Sequence, residues 1–177
     1  AGKSPKRLLD MHNLTGVFAL PFHVVILLSG LLILFPLYLP AGILAVYPGQ
    51  PSEFGQEADA AYSRSASGIP GPLASLDQMM TQARLHWGNG EPAFVRVWHP
   101  GDANAYVEIS RSLADSMSLN GQTLYFDGAS ARLLHEARLP AAAASFKFLA
   151  GLHVAHFQQQ WLRALYFFAG LSGCVML

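Results

Sequence analysis

Leu14 to Tyr38 reads LTGVFALPFHVVILLSGLLILFPLY, 25 residues of mostly Leu, Ile, Val and Phe with no charge among them. As a helix rising about 1.5 Å per residue, it exceeds the roughly 30 Å hydrocarbon core of a bilayer. A transmembrane helix is therefore predicted here. The charge-free run is longer still, from Met11 to Ser52, bracketed by Asp10 and Glu53. A secretory signal would have a shorter apolar core and an A-x-A-like exit, whereas this run continues through Pro36, Tyr38 and Pro40 into a Pro/Gly-rich loop. An uncleaved span is expected.

Composition agrees. The chain has 177 residues, 52% of them hydrophobic and 12% charged, about half the charge of a soluble globular chain. Eleven Lys and Arg balance eleven Asp and Glu, so no net positive field points to nucleic acid. A single cysteine, Cys174, excludes an intrachain disulfide framework and any CxxC site. Redox chemistry would have to come from a bound cofactor.

Lys3, Lys6 and Arg7 precede the span and only Asp10 opposes them, which predicts a cytoplasmic N-terminus. The segment after the span is then expected outside. Residues 53 to 138 carry six Arg against ten acids, a balance of −4, consistent with a translocated domain, in a bacterium the periplasm. Leu73 to Trp87 has helical apolar spacing. AFVRVWHP and AYVEIS alternate like a hairpin, and QTLYFD reads as a third strand. A small α+β unit results, a sheet with one helix on a face. After Gln158 to Gln160 the chain runs WLRALYFFAGLSGCVML, with 14 residues from Ala164 to Leu177 beyond the last charge, fewer than the ~20 needed to cross. The expected fold class is thus an α-helical integral membrane protein with an inserted α+β domain, the N-terminal part of a larger helical bundle. Its expected divisions are 1–12 cytoplasmic, 13–39 transmembrane helix 1, 40–147 the outer domain, and 148–177 an amphipathic lead-in and the start of transmembrane helix 2.

Four of the seven histidines, His12, His23, His153 and His156, lie in or at the membrane segments. At about 100° per residue, His12 and His23 fall about 20° apart on one face and about 16 Å apart along it. Gly16, Ala19 and Gly30 share that face. A small-residue stripe suits helix packing, and it equally admits something flat or bulky. Intramembrane histidines are costly and usually mark ligands, proton paths or cofactors. Pro21 would kink the helix and tilt His23 toward a partner. On the second segment His156, Gln160, Arg163, Phe167, Gly170 and Cys174 fall within about 40° of one line, with His153 to one side. Near the outer interface, His153 or His156 comes closest to His23. Two imidazoles facing each other from different helices are what axial ligation of a low-spin haem requires, and Arg163 could bind its propionates. Zinc lacks accompanying Asp, Glu or Cys ligands. His86, His99 and His135 read as ordinary surface residues, and nothing in the chain supports a hydrolase.

LDMHNLTGVFALPFHVVILLSGL, Leu9 to Leu31, resembles the first helix of the PepSY-associated transmembrane family, with His12, Gly16 and Ser29-Gly30 at its marker positions. LHVAHFQQQWLRALYFFAGLSGC, Leu152 to Cys174, resembles the second through Leu152, His153, Phe157 and Arg163, with Gln158 and Gln159 where the family has a Gly pair. LDQMMTQARLHW and LYFDGASARLL resemble parts of a PepSY-like domain. The resemblance implies an inner-membrane oxidoreductase with haem b, two in the full-length protein, that reduces a ferric siderophore in the periplasm. Its electron donor, cytoplasmic or quinol, is unspecified. His23 with His153 or His156 would hold the outer haem, and His12 the inner one. The alternative is a membrane-anchored periplasmic binding or sensor module whose histidines only pack.

Overall fold

The computed structural model describes residues 5–49, 51–88 and 90–176. Lys3, Asn89 and Leu177 lie outside them. Helix α1 (Pro5–Ile33) takes up the apolar stretch, 29 residues or about 43 Å of helix. It is long and apolar enough to cross a membrane. Most of its side chains are uncovered by the rest of the chain, with Phe18 81% and Val17 and Leu27 each 73% exposed. Large apolar side chains left bare over the part of α1 that the rest of the chain does not cover are not what a water-soluble helix shows, which agrees with a membrane-spanning helix. Pro21 lies inside α1 without ending it.

Prolines then break the chain into short turns. Helix α2 (Phe35–Tyr38) stops at Leu39, and α3 (Pro40–Val46) starts one residue later. Leu39 precedes Pro40 and sits at φ −127°, since the proline ring crowds the helical conformation of the residue before it. Helix α4 (Pro51–Ala58) completes the connection.

The α+β unit is built as its alternation dictates. Helix α5 (Leu76–His86) opens at Ser75, whose hydroxyl accepts from the Gln78 N–H at 3.3 Å, the usual way to satisfy a free first-turn donor. Strands β1 (Pro92–Trp98), β2 (Tyr106–Arg111), β3 (Thr123–Asp127) and β4 (Leu133–Glu136) form an antiparallel sheet in sequence order. The register sets Val107 opposite Phe126 and Ile109 opposite Leu124. One face of the sheet therefore presents these four to Met79, Ala83 and Trp87 of the α5 segment, all buried. Each such large side chain contributes roughly 1.5–3 kcal/mol when removed from water. The expected sheet with one helix on a face is present, with β4 as an additional strand.

Helix α6 (Ala141–His153) starts ahead of the 148 boundary and packs along α1, and α7 (Gln160–Met176) does the same. Between them residues 154–159 leave the helix. Ala155 adopts the left-handed conformation at φ 51°. The His156 N–H reaches the Gly151 carbonyl and the Ala155 N–H the Leu152 carbonyl, each at 3.2 Å, the paired bonds that cap a helix C-terminus. This corrects the single helical line from His156 to Cys174: His156 belongs to the turn, and the line begins at Gln160. The sheet unit is tied to α6 by the Leu119 N–H donating to the Lys147 carbonyl at 3.0 Å, and Lys147 also pairs with Asp59, the residue after α4, at 2.8 Å. Gly151 lies where a Cβ would collide with the Met117 carbonyl oxygen, so only glycine permits this approach.

Candidate functional site

His153, the last residue of α6, is set against α1. Its Nδ1 lies 3.1 Å from the Ile26 carbonyl oxygen and 3.0 Å from Ser29 Oγ. Ser29 is fully buried, and its hydroxyl reaches the Val25 carbonyl at 2.6 Å. With the serine proton spent there and a carbonyl able only to accept, Nδ1 must carry the proton. Nε2 then keeps the lone pair. Fixing one ring nitrogen on a backbone carbonyl is how ligating histidines are oriented. Gly30 completes the seat, because a Cβ there would stand 3.1 Å from His153 Cε1.

His23 faces a different helix. A Cβ on Gly173 of α7 would be 2.7 Å from His23 Nε2, so the ring lies directly on the α7 backbone. Phe22 packs edge-on to His23 at 5.4 Å and to Tyr166 at 5.1 Å, and Tyr166 packs on the buried Phe157 at 5.1 Å. Ile26 to Gly30 are three to seven residues along α1 from His23, about 4–10 Å of rise. The structure thus brings His153 to α1 and His23 to α7, and does not oppose the two rings at one level. His12 is exposed near the start of α1, and His156 is exposed in the turn after α6.

His156 and Arg163, in the first turn of α7, share a cavity of about 1430 Å³ with the sheet face opposite α5. Alternate residues of β1 and β2 furnish that wall. Trp98 and Tyr106 stack at 5.8 Å with 12° between their planes. Arg96 lies over the Phe94 ring at 4.7 Å and the Trp98 ring at 5.0 Å. Glu108 accepts from Trp98 Nε1 at 2.9 Å and stands 3.7 Å from Arg96. Burial, reinforced by the Glu108 charge, pushes the Tyr106 and Tyr125 hydroxyls above their ordinary range, so both are neutral donors. The F-x-R-x-W and Y-x-E alternation carried this wall in the sequence. Its meaning emerges only when the opposite side of each strand is seen to be taken by α5.

Among the described residues no group of three or more His, Cys, Asp or Glu could hold a metal ion. A bare metal centre needs such a group, while haem brings four nitrogens of its own and asks the protein for only one or two.

No curated protein and no solved structure matches the chain. The sequence pattern of one family, described as the PepSY-associated TM region, matches residues 1–177, and with its long apolar α1 and appended sheet unit the chain belongs to that family.

Proposed function

We propose that this protein works in the bacterial inner membrane as a haem-containing oxidoreductase, passing electrons outward to ferric iron held in a siderophore in the periplasm. The observation that carries the reading is the His153 imidazole, whose Nδ1 is 3.1 Å from the Ile26 carbonyl oxygen and 3.0 Å from Ser29 Oγ, an arrangement that orients the ring and leaves Nε2 without a hydrogen-bond partner among the described residues. That arrangement fits an axial haem ligand. His23 does not fit the same role here, because Gly173 covers its Nε2. His12, exposed at the other end of α1, is left as the candidate for a second haem. Haem bound through His153 would supply one-electron chemistry that a chain with a single thiol lacks. The protein's part is to hold the ring in one tautomer, to exclude water with lipid-facing helices, and to keep the ferric substrate close by. Reduction releases iron because Fe(II) is held far less tightly than Fe(III) by hard oxygen donors.

The test is the visible spectrum of detergent-purified full-length protein. A Soret band with reduced α and β bands is expected, lost in His153→Ala and kept in His23→Ala. A colourless full-length protein refutes the reading. The cavity above α7 also favours a second reading, a membrane-anchored binding module, in which His153→Ala changes neither colour nor ligand binding.

A further inference from the structure

The cavity between the sheet and the α6–α7 turn has a definite chemistry. Its volume, about 1430 Å³, exceeds the roughly 300–1,000 Å³ of ordinary small-molecule pockets. Four cations line it, Arg96, Arg111, Lys147 and Arg163, against two carboxylates, Asp59 and Glu108. Three of the cations are already engaged, Lys147 with Asp59 at 2.8 Å, Arg96 with Glu108 at 3.7 Å and Arg111 with Asp115 at 2.5 Å. Arg163 has no ion pair among the described residues, and the His156 ring, which lines the same cavity, has no hydrogen-bond partner there. The membrane-side floor thus holds uncommitted donors, while the opposite wall is aromatic, with the stacked Trp98 and Tyr106 and the Arg96 guanidinium lying over Trp98.

We infer that this cavity binds a large polyanionic metal chelate bearing aryl rings, of the catecholate type. Its rings would rest on the exposed Phe94 and the half-buried Trp98, its excess negative charge on Arg163, with the His156 ring a further hydrogen-bonding group on the same floor. A neutral or cationic hydroxamate chelate leaves the Arg163 floor unmatched and offers no ring to the wall. Guanidinium stacked on aromatic faces recognises flat anionic groups better than an ammonium would. The inference rests on the ferric-chelate reading and specifies which chelates that reading serves.

Gallium(III) complexes separate binding from electron transfer, because they are not reduced where the iron complexes are. Full-length protein in detergent is titrated calorimetrically with a gallium(III) tris-catecholate and with a gallium(III) tris-hydroxamate. The tris-catecholate is expected to bind at least about tenfold tighter, and Arg163→Gln to weaken it about tenfold with little change for the hydroxamate, as loss of one charge-assisted hydrogen bond implies. Arg163→Lys should recover part of the loss. Trp98→Ala should weaken the catecholate selectively. Equal or tighter binding of the hydroxamate overturns the inference, as does an Arg163→Gln variant that binds like the parent. A third arm repeats the titration in micelles doped with phosphatidylglycerol or with phosphatidylcholine. Competitive displacement by phosphatidylglycerol alone would assign the floor to a lipid headgroup and overturn the chelate assignment. A missing Soret band sinks the reductase reading without touching the gallium result, so the two failures are distinguishable.

Discussion

Gly173→Ala tests the seating of His23 directly. The new Cβ would stand 2.7 Å from His23 Nε2, whereas non-bonded heavy atoms rest at about 3.5 Å. The ring must therefore retreat by about 0.8 Å. It has little room to do so, since Phe22 lies edge-on at 5.4 Å and is itself held by Tyr166 at 5.1 Å. Forcing one extra methyl into such a contact costs about 1–3 kcal/mol. At about 3 °C per kcal/mol for a chain of this size, the thermal midpoint should fall by about 3–9 °C. The assay is thermal unfolding in one detergent, carried out as a cycle with His23→Ala. Removing the imidazole removes the clash, so Gly173→Ala in that background should cost almost nothing. An equal loss in both backgrounds refutes the contact and with it the placement of α7 against His23.

Three further outcomes rest on single residues. Ala155→Gly should stabilise the protein by about 0.5–1 kcal/mol in denaturant unfolding, because an L-residue in the left-handed conformation, here at φ 51°, gives up roughly 1–2 kcal/mol that glycine does not, less the extra chain entropy glycine loses. Phe126→Ala should cost the sheet unit about 3–5 kcal/mol, since Phe126 is 1% exposed in the core with Met79 and Val107, and an unchanged unfolding midpoint would contradict that core. Asp102 accepts from the Ser67 N–H at 2.9 Å, the Asn104 N–H at 2.7 Å, Ser67 Oγ at 2.7 Å and the Gly68 N–H at 2.7 Å; the Ser67 N–H above all, opposed by some desolvation and aided by the other three donors, holds its carboxyl well below the usual carboxylate range. A folded value below the unfolded one means stabilisation present in full above about pH 4–5 and lost as pH falls toward the folded value. Asp102→Asn should therefore lower the thermal midpoint at neutral pH and flatten its decline in acid, and an acid limb as steep as the parent's would exclude the role.

The unbroken apolar run made α1 legible, and periodicity did the same for α5 and the first three strands, because each of those buries or exposes side chains with the period of its own element. Strand β4 was hidden: LLHE is four residues long, with no alternation and no β-branched side chain to mark it. The α6–α7 turn was hidden for another reason, since Ala155 takes a conformation that glycine usually signals and its capping bonds lie in the backbone. The family's Gly pair has no counterpart at Gln158 and Gln159, yet the helix breaks three residues earlier by this other device. The histidines were legible as membrane-placed but not as partners. His153 meets Ile26 and Ser29 across 127 and 124 residues of sequence, a pairing that helical angles on either segment alone cannot supply.

The contacts show what Gly30, on the small-residue face of α1, is for. Packing and admission of something flat stood as rival uses of Gly16, Ala19 and Gly30, but each deeply placed imidazole meets a glycine on the facing helix, His153 at Gly30 and His23 at Gly173. Histidine and glycine are complementary halves of one interface, so at Gly30 and Gly173 the flat object admitted is the ring itself. This gives the two rings unequal standing. His23 lies against Gly173 of α7, whereas His153 ends its helix three residues before His156, which lines the cavity. Three residues of chain span at most about 11 Å. The ring fixed on α1 and the floor of the chelate cavity are therefore neighbours by construction, with the Ala155 turn between them. Under the proposed reading that turn sets the distance an electron must cover, and substitutions that lengthen or loosen it should slow reduction of a bound ferric chelate while leaving its affinity unchanged.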